Sequence, residues 1–291
     1  MRSQYGEAGA SRRRAPRGDA DGGGPSTGPR RHVAAAGLAL AAALTACGGH
    51  SGDHRQASDR HTTARATSQP AAPPDKGPLC VGTAPADGLH VLRGGAYPLP
   101  GGSGVRYTVA RADGTTRTAT LTEGLTPDAG GAAHTVRPGQ TLTVRGHAYA
   151  VDQICAYRVV LEPRSAADRA AAAARPASLK AGADPADQRR LCFSTDPAVR
   201  AANAAALPPA GAPLRILTSG PTRLATGISI AAYDVDPSTG TARFGAVCSD
   251  GGTPESMYED VRAGDTVEVA GALFTVAPLT TDVITLTRKG S

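Results

Sequence analysis

His90, His134 and His147 are the side chains of the central region best suited to moving protons or binding metal near neutral pH. For nucleophilic catalysis one of them would have to activate a Ser or a Cys. The chain has no Gly-x-Ser-x-Gly elbow, and its cysteines have better uses, so no catalytic residue is assigned. The three histidines fall in the first of two similar regions and align with Arg215, Glu259 and Ala272 in the second. They could converge on a metal, but polar positions of period two account for each one separately. Asp234–Gly240 resembles a calcium loop until its sixth position, which is Thr239 instead of Gly, and no closing Glu follows. A polar hairpin connection is the expectation there. Asp250, Glu255, Glu259 and Asp260 cluster after Cys248 and are expected in a solvated loop. His50, His54 and His61 lie in a polar stretch where no Cys or carboxylate cluster completes a zinc site. No metal and no cofactor is therefore assigned.

The best-defined chemistry belongs to Cys47. An apolar run from Val33 to Leu44, preceded by Arg30 and Arg31, has the length of a signal core and is too short to span a bilayer as a helix. It ends in Leu44-Thr45-Ala46-Cys47, which resembles the lipobox of bacterial lipoprotein precursors. The resemblance implies cleavage between Ala46 and Cys47 and diacylglyceryl transfer to the Cys47 thiol. Two or three acyl chains, at about 0.8 kcal/mol per buried methylene, would anchor the product durably. The expected location is the extracytoplasmic face of the cell membrane. The Arg pair also fits a weak twin-arginine signal.

Cys80, Cys155, Cys192 and Cys248 then remain, an even number suited to an oxidising compartment. Four cysteines allow three connectivities. Pairing within each region, Cys80–Cys155 and Cys192–Cys248, is preferred, each bridge contributing about 4 kcal/mol in the chain-entropy model. Cys155 aligns with Thr280, so the two bridges would not occupy equivalent strands.

The elements that position these residues are set by an internal repeat. Val136-Arg137-Pro138-Gly139 through Val144 answers Val261-Arg262-Ala263-Gly264 through Val269 at an offset of 125 residues, and the match runs on from Gly146 and Gly271 to Leu161 and Leu286. Earlier pairs, such as Leu89 with Leu214 and Gly95 with Gly220, hold the same offset. Within each copy, Thr141 and Thr143, or Thr266, Glu268 and Ala270, alternate with apolar residues. That is the pattern of half-buried antiparallel strands with a polar face outward. Asp113-Gly114 marks a hairpin. The expected fold class is all-β: two tandem small antiparallel β-sandwich or partly open barrel domains after a disordered tether. Asp196-Pro197 caps a short helix in the second copy.

The expected organisation is a signal segment over 1–46, the lipidated Cys and tether over 47–78, a first β domain over 79–164, an Ala-rich linker over 165–190 and a second β domain over 191–291. The Ala run Ser165–Arg175 can form a short helix ended by Pro176. The tether is too poor in apolar residues to offset its ordering entropy. The pattern V-R-x-G-x-T-x-x-V-x-G-x-x-Y/F-x-V that closes each copy resembles small all-β domains of uncharacterised actinomycete proteins; the resemblance implies a fold and no activity.

The formal charge of +6 is mostly a property of the signal segment, where seven Arg face three acids, and about +2 remains from Cys47 onward. No concentrated basic face is left for phosphates, which argues against nucleic-acid binding. The expected role is non-enzymatic: a membrane-anchored module binding an envelope protein, a glycan or a small ligand. The alternatives are a cell-surface hydrolase or its accessory subunit, and a structural spacer. The hydrolase would be marked by a pocket in the first copy in which one of the three histidines faces a carboxylate, lost in the second.

Overall fold

The alternating segments form antiparallel strands in the computed structural model, which describes residues 77–180, 184–224 and 227–290. The readings placed on Ala46, Cys47, His50, His54 and His61 lie outside the described residues. In the first half run β1 (Cys80–Gly82), β2 (Leu89–Leu92), β3 (Ala96–Leu99), β4 (Ser103–Asp113), β5 (Thr116–Glu123), β6 (Ala133–Val136), β7 (Thr141–Val144), β8 (His147–Cys155) and β9 (Arg158–Pro163). Three helices follow: α1 (Ala166–Ala172), α2 (Pro185–Phe193) and α3 (Pro197–Ala205). The second half holds β10 (Pro213–Leu217), β11 (Thr222–Leu224), β12 (Ile228–Asp236), β13 (Thr241–Cys248), β14 (Pro254–Val261), β15 (Thr266–Val269), β16 (Ala272–Val276) and β17 (Val283–Arg288).

Among the described residues these strands make four sheets, two in each half, and none closes into a barrel. The order β2-β9-β8-β7 in the first half recurs as β10-β17-β16-β15 in the second, and β3-β4-β5-β6 recurs as β11-β12-β13-β14. The 125-residue offset persists down to single hydrogen bonds. The Gly139 amide donates to the Val151 carbonyl at 2.7 Å, and that of Gly264 to Val276 at 2.8 Å. Arg145 and Ala270, each followed by Gly, both hold positive φ, 48° and 50°, in the hairpin turns before β8 and β16. The Asp113-Gly114 hairpin closes β4 on β5, with Asp113 opposite Thr116. Asp234–Gly240 joins β12 to β13, where Asp236 accepts from the Ser238 and Thr239 amides. It is a hairpin connection.

Both disulfides follow the preferred pairing, Cys80–Cys155 and Cys192–Cys248. Their asymmetry has a simple origin. Cys80 sits on β1, a strand that adds to β8 and has no counterpart among the described residues of the second half, whereas Cys192 sits on α2 and ties it to β13. Of the helices, α3 starts as expected, with the Asp196 carboxylate accepting from the Ala198 and Val199 amides. Helix α1 occupies the Ala run but stops before Pro176, its first turn capped by Ser165. Helix α2 is a difference from the expected linker. It repeats the Asp-Pro start, with Asp184 as N-cap and Pro185 in the first turn, and it buries Leu191 and Phe193.

The described residues form one compact unit, and the two halves share their cores. Cys155 and Tyr157 of the first half pack into the core built by β10 to β17, while Phe193 and Cys248 pack into the core built by β2 to β9. The backbones also meet: the Met257 amide on β14 donates to the Arg93 carbonyl after β2, at 2.8 Å.

This contact between halves overturns one expectation. In β7 the residues Thr141 and Thr143 face solvent, as the alternation implies, but Glu268 on β15 and Ala270 just after it are buried, at 1% and 5% exposure. This face of the second half lies against the first half. The acidic cluster departs from expectation for a related reason: Glu255, Glu259 and Asp260 lie on β14 and not in a loop, and Asp250 and Glu255 are buried.

Candidate functional site

A cavity of about 100 Å3 lies where the halves meet, lined by residues of both, among them His90, Tyr97, Arg200, Asn203, Glu255 and Glu268. Its volume is several times the ~10–15 Å3 that one water needs by a comparable measure. Each polar group arrives on a different element. His90 comes from β2 and Tyr97 from β3; Glu255 comes from β14 and Glu268 from β15. Arg200 and Asn203 stand one turn apart on α3, whose position is fixed when the Arg200 guanidinium donates to the Ala86 and Gly88 carbonyls before β2.

Glu268 is the charged centre of the join. His90 Nδ1 lies 2.7 Å from its Oε1, and Arg158 Nη1 on β9 donates to its Oε2 at 2.8 Å. Arg158 is held in turn by Gln153 Oε1, at 3.1 and 2.8 Å. Burial pushes the Glu268 carboxyl up, but His90 and Arg158 outweigh it and hold it below the usual range. It is ionised, with both oxygens occupied.

Glu255 has the opposite environment. It is 6% exposed, and its Oε1 accepts the Ala270 amide at 3.0 Å. Its Oε2 has no hydrogen-bond partner, and no ion pair reaches it among the described residues. Burial, and then the charge of Glu268, push its pKa up to about 8, with the Ala270 amide opposing. Glu255 is therefore mostly protonated at neutral pH. Asn203, also 6% exposed, donates to the Leu191 carbonyl at 3.2 Å, and its Oδ1 has no partner.

The other histidines are placed elsewhere, each against its own acid. His134 Nε2 lies 3.0 Å from Glu123 Oε1 on the neighbouring strand. His147 Nδ1 lies 2.9 Å from Asp168 Oδ1 at the start of α1, and this contact with the Ser165 hydroxyl holds Asp168 low. The three do not converge, and no group of His, Cys, Asp or Glu among the described residues is arranged to hold a metal. Nor does the acidic cluster gather a cation: Asp250 is bound by Arg189 at 2.7 Å and by Thr253, away from Glu255. Sequence reasoning singled out His90 and Glu255 but missed Glu268, Asn203 and Arg200. Only the Asp196-Pro197 cap hinted that α3 would present residues at a fixed place. Comparison with known protein families, characterised proteins and solved structures finds no match to this chain.

Proposed function

We propose that the chain is an envelope lipoprotein, anchored through Cys47 on the extracytoplasmic face of the cell membrane, whose two β halves are copies of one domain and together form a non-enzymatic binding module. The observation that supports this best is the cavity between the halves, where Glu255 Oε2 and Asn203 Oδ1 are buried without a partner. Buried polar atoms cost about 1–3 kcal/mol when unpaired, so such a pair suits a ligand that completes them. The lipobox sequence and the oxidised cysteines support the location. A photo-crosslinking residue at Ala201, exposed on α3 beside the cavity-lining Arg200, tests the reading in intact cells. A discrete adduct is expected there and none from the same residue at Thr115, in the β4–β5 turn. Equal labelling at both, or none at 201, would sink it. Replacing Cys47 by Ser should move the protein out of the membrane fraction.

A second reading, a hydrolase, has two observations in its favour. His90 faces the Glu268 carboxylate in the cavity, the arrangement expected to mark a hydrolase. Glu255 and Glu268 share a cavity, and their environments displace their acidities in opposite directions, the pattern of an acid and its ionised partner in glycoside hydrolysis. It ranks second because His90 and Arg158 occupy both oxygens of Glu268. Turnover of an aryl glycoside that disappears in Glu255→Gln would establish it.

A further inference from the structure

We infer that the cavity between the halves takes an uncharged, hydroxyl-bearing molecule, a small polyol or the hydroxylated end of a glycan, held between Glu255 Oε2 and Asn203 Oδ1; the inference rests on the binding reading above. Two buried hydrogen-bonding atoms of the lining are left over. Glu255 Oε1 accepts from the Ala270 amide, so any proton on this carboxyl sits on Oε2. A buried carboxyl with no cation in contact, in a cavity shared with the ionised Glu268, keeps that proton. Oε2 is then a donor without an acceptor.

Asn203 supplies the complement. Its amide nitrogen is committed to the Leu191 carbonyl, which leaves Oδ1 as an acceptor without a donor. A hydroxyl group is donor and acceptor at once and satisfies both atoms without changing the charge of the site. Tyr97 and Phe193, paired edge to face at 5.3 Å between ring centres, line the same cavity and offer apolar surface to a carbon skeleton. An anion would meet the ionised Glu268 and, having no proton to donate, would leave Asn203 Oδ1 unpaired. An ammonium ion would face the Arg200 guanidinium and would have to displace the Glu255 proton.

The test uses the full chain, 15N-labelled, titrated with glycerol and with inositol, and separately with methylammonium. The expected result is saturable movement of the Ala270 amide and Asn203 side-chain signals with the polyols. Glu255→Gln, which keeps an acceptor for Ala270 and a neutral donor in place of Oε2, should bind within about threefold of the parent, and Glu255→Met at least about tenfold more weakly. Thermal melting of both variants checks that they fold. Methylammonium binding that releases a proton and is lost in Glu255→Gln would overturn the assignment in favour of a cation. Capture by the crosslinker at 201, with both polyols silent at Ala270 and Asn203, overturns the ligand class and leaves the binding reading standing. Silence in both experiments overturns both.

Discussion

Glu268 stays ionised while buried because His90 and the Arg158 guanidinium reach it from strands of the other half. Removing the carboxylate by Glu268→Ala would leave Arg158 uncompensated and should cost about 3–5 kcal/mol, read as a fall in the denaturant midpoint. Glu255 acts in the reverse sense. Its carboxyl keeps a proton up to about pH 8, whereas the unfolded chain loses it near the ordinary value of 4.5. Across that window the folded state binds more protons than the unfolded one, so stability falls as pH rises, by up to about 1.4 kcal/mol per unit. Glu268 and Asp168, held low, contribute stability that is present above their unfolded values and lost on acidification. Melting temperature should therefore peak in mildly acid solution. Glu255→Gln should flatten the alkaline side of that profile and leave the acid side. An unchanged alkaline slope in the variant would show that another group sets it.

At the scale of elements, the halves differ most where they touch. A Cβ on Gly95, just after β2, would fall onto the Glu255 backbone carbonyl, and one on Gly94 onto that of Met257. At Gly220, the counterpart of Gly95, there is open space. Gly95→Ala should thus cost about 1–3 kcal/mol by forcing β2 and β14 apart, while Gly220→Ala should be close to neutral, as parallel melts would show. That pair of residues also marks how much was legible in the sequence. Counting gave two disulfides and their pairing only as a preference among three, whereas the 125-residue offset, the strands β7 and β15 and the Asp196 cap depend on local spacing and could be read directly. The burial of Glu268 could not, since Thr143 occupies the equivalent position and faces water. What buries Glu268 is a surface of the first half more than a hundred residues away along the chain, and no local periodicity carries that information. Helix α2 did carry a signal, Asp184-Pro185, hidden in a composition that reads as linker.

For the whole molecule, the shared cores mean that neither half has a complete interior of its own. Fragments 79–164 and 165–291, made separately, would expose the apolar surface around Cys155 and Tyr157 in one case and around Phe193 and Cys248 in the other. Neither should show a cooperative melt alone. A sharp transition from either fragment would contradict this. The N-terminal entry to the fold has a mechanical consequence. The chain passes Pro78, whose carbonyl is gripped by the buried Arg117, and two residues later is covalently joined through Cys80 to Cys155 on β8. Tension applied from the N-terminal side cannot unzip β1, because the bridge carries the load straight into an inner strand of the five-stranded sheet. Pulled in a force spectrometer, the oxidised protein should resist until that sheet shears, and the reduced protein should yield earlier by peeling from its first strand.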